Sequence, residues 1–438
     1  MRPPYELVLI ILFNGFTAIS LAELSFSERP LWNETWTDKL KRDLLYKYDK
    51  FARPAQHFNT TTVALDIFLH HVTLNEFKST MNVNGLISHS WIDEKLKWNV
   101  SNYNGLSSIH VGNHEIWQPD VVLYNSGTPN TVDHYGDTHC IVEHTGNVMW
   151  IPPVELIALC DINIRFWPFD TQVCVLKFGS WTFHGGMIDL QLKEPATESE
   201  IYIQNAEWSI MDIGRKRTED YYSCCKEHYV ALHFTITLKR NSALYYNILV
   251  IPAIAVVFLT LSTFWLSPQS ELKIILSACT SLIICIFLLF FSFKLPLTTK
   301  PPLIVYFYSG CLCHVTISLV LSIFVINVSR RPHCKPLPRN IRLLLLSWPG
   351  KILGLSDLIT MIESRRPMPA QELRGKLSED FSTNSNSNIV EDCDRQNIIS
   401  PSKNSSQLEW IIAGTALDRL AFIMFSIVFG TMTVICAS

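Results

Sequence analysis

Neither sign of charge dominates this chain: 36 Lys and Arg stand against 39 Asp and Glu in 438 residues, for a formal net charge of −3. Without a basic excess there is no electrostatic footprint for nucleic acid or another polyanion. No internal repeat recurs, which excludes solenoids and propellers. No nucleophile with a neighbouring base and no metal-ligand spacing stands out, so neither an enzyme nor a cofactor is expected. What the chain does hold is apolar sequence, gathered in its second half into long runs.

Four of these runs reach the roughly 20 residues that a bilayer crossing requires: Asn247 to Leu266, Ile274 to Phe293, Leu303 to Val328 and Ile411 to Cys436. A soluble core could supply one such run, not four. At the other end, Arg2 precedes an apolar stretch from Leu7 to Phe16 and small residues through Ala22. That order predicts a cleaved secretory signal over 1–22 and places residues 23–240 outside the cell, where disulfides persist. Sequons at Asn33, Asn59 and Asn99 suit that side. Four crossings then put 241–328 in the membrane as helices one to three, 329–409 in the cytoplasm and 410–438 in the membrane as the fourth. Arg330, Arg331, Lys335, Arg339 and Arg342 open the cytoplasmic part, as the positive-inside bias asks. Sequons at Asn327 and Asn404 would therefore stay bare.

The outer part is punctuated as a β-protein. Alternating stretches at Val63 to Leu69, Val148 to Ile151, Val173 to Phe178 and Ala231 to Leu238 are separated by Gly, Pro and Asn turns. This favours an immunoglobulin-like sandwich. Leu31 to Tyr48 predicts one amphipathic helix ahead of the strands. In the cytoplasmic part, Arg339 to Ile362 predicts an interfacial helix interrupted at Pro349, and the Ser/Asn-rich Phe381 to Ser406 predicts disorder.

Two cysteine features carry chemistry. Cys224 and Cys225 are adjacent, with Tyr221 and Tyr222 before them and Tyr229 after. Neighbouring Cα atoms lie about 3.8 Å apart, closer than the roughly 4.4 to 6.8 Å of an ordinary disulfide, so a bond between them is strained. Its use would be mechanical, a stiff tip on a loop that covers a site. The alternative is that one of the pair bonds elsewhere, for instance to Cys140. Cys160 and Cys174 instead enclose a loop holding Phe166, Trp167, Pro168, Phe169 and Asp170. Closing a ring of that size is worth about 3 kcal/mol in the entropic account. A plain staple would not need that aromatic apex, whose Pro168 bond is a candidate for cis.

Taken in order, the signature loop, the Trp117-Gln-Pro-Asp120 segment, the cysteine pair and four spans make the chain resemble the Cys-loop pentameric ligand-gated channels. The vicinal cysteines make it similar to a divergent α-type nicotinic acetylcholine receptor subunit. The resemblance covers nearly all of the mature chain except the middle of the cytoplasmic loop. It implies an aromatic cage for a quaternary ammonium from Tyr124, Trp181, Tyr222 and Tyr229, with Cys224 and Cys225 over it and bonded to each other. Ring faces attract such a cation by about 2 kcal/mol or more each when desolvated. It also implies a coupling contact in which Glu76 pairs with Arg240, and the loop apex at Pro168 and Phe169 meets the membrane helices. The second span becomes the pore lining, with Glu271 at the cytoplasmic mouth and Ile275, Cys279, Leu282, Ile286, Leu289 and Phe293 along one face. Leu282 falls at the gate.

The departures matter as much. Where the family places a Trp five residues before Trp91, this chain has Leu86. The acid that commonly follows the last cage Tyr is replaced by Ala231, so Lys177 must find another acceptor or face water. The inner Glu of cation channels is here Leu272, and the outer end carries Phe293 and Lys294. The expected protein is thus a multi-pass, postsynaptic plasma-membrane subunit of an acetylcholine-gated cation channel. It would lend its principal face to a different neighbour in a heteromeric pentamer. The alternatives are an accessory subunit that binds agonist weakly, or an assembly chaperone.

Overall fold

The computed structural model describes residues 33–56, 58–128, 135–193, 202–223, 225–330, 336–364 and 401–437. The predicted signal at 1–22 lies outside them. Helix α1 (Trp36–Leu45) begins where it can be capped. The Thr35 hydroxyl accepts from the Asp38 amide at 3.2 Å, and the Asp38 carboxylate accepts from the Thr35 amide at 3.0 Å. This reciprocal box starts the helix later than the predicted Leu31. Leu40 is fully buried, and Leu44 and Leu45 pack on the same core.

The strands form two sheets. In the first, β1 (Thr61–Asn75), β2 (Thr80–Ile92), β3 (Ser108–Gly112), β5 (His139–Glu143), β6 (Asn147–Trp150) and β9 (Ile188–Leu192) run in the order β3-β5-β6-β2-β1-β9, with β7 (Pro153–Leu159) also on β2. In the second, β4 (Val121–Leu123), β8 (Thr171–Ser180), β10 (Trp208–Tyr221) and β11 (His228–Arg240) run β10-β11-β8-β4. All four predicted alternating stretches fall on β1, β6, β8 and β11. Their period of two sends Val63, Leu65, Ile67 and Leu69 of β1 into the same core as Leu232, Phe234, Ile236 and Leu238 of β11. Each such burial stabilises the sandwich by about 1.5 to 3 kcal/mol.

A titratable group sits in this core without a hydrogen-bond partner among the described residues. His89 on β2 is fully buried, stacked on Trp150 and edge-on to Tyr135, each at 5.2 Å between centroids. Neither of its ring nitrogens has a hydrogen-bond partner among the described residues. Burial holds its pKa down at about 3.

Among the described residues, four helices are long and apolar enough to cross a membrane: α2 (Ala243–Trp265), α3 (Leu272–Lys294), α4 (Leu303–Arg330) and, within the last helix, Ser406–Cys436. They match the four predicted runs with small shifts at the ends. In α2 the backbone widens to a π-turn at Tyr246–Val250 just ahead of Pro252, whose ring would clash with the carbonyl of the preceding turn.

The predicted interfacial helix is three pieces, α5 (Arg339–Leu346), α6 (Trp348–Ile352) and α7 (Ser356–Ser364). The break falls at Ser347 and not at Pro349. Proline occupies the first turn of α6, where no amide is needed. The last helix, α8 (Pro401–Ala437), starts inside the stretch predicted as disordered; 381–400 lie outside the described residues. The charged side chains described along it all have partners. Asp418 is buried and pairs with Lys273 of α3, Arg419 lies 3.5 Å over the Trp265 ring, and buried Glu409 accepts from Arg342 and from the Leu337 amide, each at 3.2 Å.

Candidate ligand site and coupling cluster

The four predicted cage residues converge at one end of the four-stranded sheet. Tyr124 follows β4, Trp181 follows β8, and Tyr222 and Tyr229 flank the turn between β10 and β11. Tyr124 and Trp181 meet edge to face at 6.4 Å, and Tyr222 and Tyr229 do so at 5.8 Å. The Lys177 ammonium joins the two pairs, 5.9 Å from the Tyr124 ring centroid and 6.0 Å from that of Tyr222. Burial, the Tyr222 phenol and the Asp120 carboxylate together push the Tyr124 phenol above its ordinary pKa. Trp181 is 69% exposed and Tyr222 39%, so the rings are open to an incoming cation or to a neighbouring surface.

Two local features hold this geometry. Asp120 clamps the segment carrying Trp181, its carboxylate accepting from the Ser180 hydroxyl at 2.5 Å and from the Thr182 amide at 2.7 Å, while its carbonyl accepts from the Trp181 amide at 3.1 Å. Gly179 leaves the room in which Tyr124 lies. A Cβ there would collide with the phenol, whose hydroxyl donates to the Ser180 carbonyl at 2.5 Å.

Lys177 does find another acceptor. Its ammonium is 2.6 Å from Asp220, which the ladder sets opposite Tyr229. Sequence reasoning looked for the acid after Tyr229 on β11 and missed it across the strand on β10. The hydrogen bond from Lys177 lowers the Asp220 pKa; burial works against the Lys177 charge, but Asp220 outweighs it and leaves the lysine raised.

The cysteines divide. Cys160 and Cys174 form the expected disulfide, with Cα atoms 5.2 Å apart. Cys225 is partly buried, and Cys224, the other half of the expected vicinal bond, lies outside the described residues. Cys140 is no substitute partner. It is free and buried on β5 in the other sheet, and burial pushes its thiol up to about 12.

At the opposite end of the sandwich, Arg240 is wholly buried among three carboxylates. It pairs with Glu76 at 2.5 Å, as expected, with Asp170 at 2.7 Å and with Glu207 at 2.8 Å, and stacks 4.2 Å over Trp208. Burial, with Glu207 and Asp170 nearby, raises the Glu76 pKa despite Arg240. Asp170 and Glu207 were not anticipated; the signal for the first was its place closing the aromatic apex.

The apex follows the expectation at Pro168 but not in which aromatic ring packs into the helices. The Trp167–Pro168 bond is cis. Phe169 is 53% exposed and, with Pro168, borders a cavity of about 560 Å³ beside α2 and α4. The residue packed into the helical core is Trp167, against Tyr245 at 5.1 Å and Phe291 at 6.1 Å. The Leu303 amide donates to the Arg165 carbonyl at 3.0 Å, tying the loop to the start of α4.

On α3, Ile275, Cys279, Leu282, Ile286, Leu289 and Phe293 are all exposed and share one face, while Lys273, Ser277, Thr280 and Ile284 are buried. Leu86 is partly buried on β2, level with Phe68 of β1 and Pro153 of β7. Asn33, Asn59 and Asn99 are exposed.

A ring-lined site on a β-sandwich, a disulfide loop seated on helices and four spans define a ligand-gated channel subunit. The chain belongs to the neurotransmitter-gated ion-channel family. Residues 37–242 match its ligand binding domain and residues 249–403 its transmembrane region. These are channels and not enzymes.

Among curated relatives, the chain is 34% identical over 363 residues to the Caenorhabditis elegans acetylcholine receptor subunit alpha-type acr-7, covering 79% of this chain and 65% of that protein. It is 32% identical over 369 residues to the alpha-type acr-16 of the same organism, covering 81% and 74%. It is 30% identical over 359 residues to the human neuronal acetylcholine receptor subunit alpha-6, covering 78% and 71%.

Proposed function

We propose that this chain is a subunit of a pentameric, acetylcholine-gated cation channel of the plasma membrane. It supplies the principal face of the agonist site to a different subunit in a heteromer. The observation that carries this reading is the convergence of Tyr124, Trp181, Tyr222 and Tyr229 around the Lys177 ammonium. A surface that already seats one cation between two rings has the electrostatics to seat another. Agonist bound between this face and a neighbour would draw the β10–β11 turn inward. The strands would carry that movement to Arg240 and Trp167, and from there to the helices. The test is Trp181→Ala and Tyr222→Ala in a co-expressed assembly. Each shifts agonist response at least about tenfold to higher concentration, or about 1.4 kcal/mol, with surface expression retained. Wild-type responses from both would overturn the assignment.

A second reading, an accessory subunit that binds agonist weakly, draws on Leu86, which leaves the complementary face without a ring, and on the wholly apolar exposed face of α3. The cage variants separate the two, because an accessory subunit would tolerate both.

A further inference from the structure

The cytoplasmic end of α3 carries one acidic side chain, Glu271, and it is not free. The Arg330 guanidinium at the end of α4 pairs with it, Nη1 to Oε1 at 2.7 Å. One further bond fixes that guanidinium and another ties the loop to the helix end beside it. Its Nε donates to the Gln269 carbonyl at 3.1 Å, and Gln269 Nε2 donates to the Ser329 carbonyl at 2.9 Å. The loop from α2 to α3 is therefore clasped to the end of α4 by three contacts, and its carboxylate is matched by a positive charge. Glu271 is 69% exposed and Arg330 48%, so the pair faces solvent and adds little stability. Its consequence lies in the field. A mouth lined by fixed negative charge concentrates cations, and a carboxylate held against a guanidinium contributes almost no net charge at a distance. The nearest lining residues, Leu272 and Ile275, are exposed and apolar and add none.

From this clasp we infer that Arg330 is a conductance-determining residue of this subunit: it masks Glu271, so that each copy of the chain adds no net negative charge to the cytoplasmic mouth. The inference rests on the reading of α3 as a pore-lining helix. It reverses the contribution that Glu271 would make if read alone, since the acid is present and electrostatically silent.

The experiment is single-channel recording from the full-length chain co-expressed with subunits that complete the receptor, in low and high sodium chloride, with surface labelling of each variant. Arg330→Gln should raise cation conductance about 1.5-fold or more at low ionic strength, with a smaller gain at high salt. Arg330→Lys should leave it near wild type. Glu271→Gln leaves the Arg330 charge unpaired and should lower conductance, whereas the double variant Glu271→Gln/Arg330→Gln, again without net charge, should return it to near wild type. Should Arg330→Gln fail to reach the surface, the double variant compared with Glu271→Gln decides. Conductance of the double variant near wild type supports the inference; a fall as large as that of Glu271→Gln alone shows that Arg330 does not offset the carboxylate and overturns it. Leu282→Ser serves as the pore control. If it alters gating while Arg330→Gln leaves conductance unchanged, the masking is refuted and the pore-lining reading stands. If neither variant has an effect, the pore placement is itself refuted and the inference falls with it.

Discussion

The ammonium of Lys177 and the carboxylate of Asp220 lie 2.6 Å apart with strand β11 between their own two strands, so the ion pair bridges the sheet beneath the aromatic site. Both side chains are more than a quarter exposed, which limits the pair to the modest energies of partly screened bridges, about 1 kcal/mol or less. Its effect is positional. It sets the distance of the lysine from the Tyr124 and Tyr222 rings.

Asp220→Asn is therefore expected to weaken agonist response by about two- to fivefold, and Lys177→Gln by a similar factor. The double variant should be no worse than either single one, because the interaction is already lost. Concentration-response curves in a double-mutant cycle measure this, and additive effects would show that the two side chains act separately. The pH dependence follows from the shifts. The lowered Asp220 pKa gives stability present above the ordinary carboxylate value and lost as pH falls through the depressed one. The raised Lys177 pKa gives stability lost only as pH rises through the elevated value. Between pH 6 and pH 9 the pair should contribute no pH dependence to agonist sensitivity, and a titration of the curve midpoint that vanishes in Asp220→Asn would contradict this.

Arg240 and its three carboxylates predict an unequal set of variants. Arg240→Gln leaves Asp170, Glu76 and Glu207 with no cation among them, a loss of about 3 to 5 kcal/mol that should abolish surface expression. Glu76→Gln removes a carboxylate that burial already disfavours, so the chain should still reach the surface while coupling is impaired. Surface biotinylation alongside current recording separates the two. Equal loss of surface protein in both variants would contradict the ranking.

His89 predicts an acid sensitivity of the sandwich. With its folded pKa depressed to about 3, the ring gives stability fully present above its unfolded value near 6.5 and lost as pH falls toward 3, because only the unfolded chain takes up the proton. Between pH 6 and 5 the purified assembly should lose up to about 1.4 kcal/mol per pH unit from this residue. In His89→Met that share should disappear. Thermal unfolding of the two proteins across this range measures the difference, and parallel curves would refute it.

Leu86 predicts assembly behaviour. The four rings of the proposed principal face come together, whereas Leu86 presents no ring to a neighbouring copy. The unmodified chain expressed alone should give little or no current, and adding a subunit with an aromatic complementary face should restore it. Leu86→Trp should recover part of the agonist binding in any homomer at the surface, since it returns one cation-attracting wall. Large currents from the chain by itself would remove the argument for a heteromer.

The strands and spans were legible in the sequence because alternation and long apolar runs are local signals. Val63 to Leu69 reads as a strand from its own residues, and α3 reads as a span from its own length. The cage residues came through the resemblance, since no spacing rule joins Tyr124 to Tyr229. What the sequence did not yield were partners fixed by tertiary approach. Asp220 reaches Lys177 across β11, Glu207 reaches Arg240 across the β10–β11 ladder, and Arg330 meets Glu271 only because two helix ends lie side by side. Trp167 instead of Phe169 fills the helical core for the same reason: which ring of the apex turns inward depends on the surface it meets.

Gly179 and Tyr124 have a consequence of another kind. The space that any Cβ at 179 would need is already taken by the phenol ring, so the two positions form one steric unit. Drift at either is conditional on the other. A lineage that gained alanine at 179 would have to abandon the tyrosine first or accept a displaced ring, and each intermediate would carry a damaged cage. The absence of a side chain at this strand position thereby narrows the order of substitutions through which the site could be remodelled.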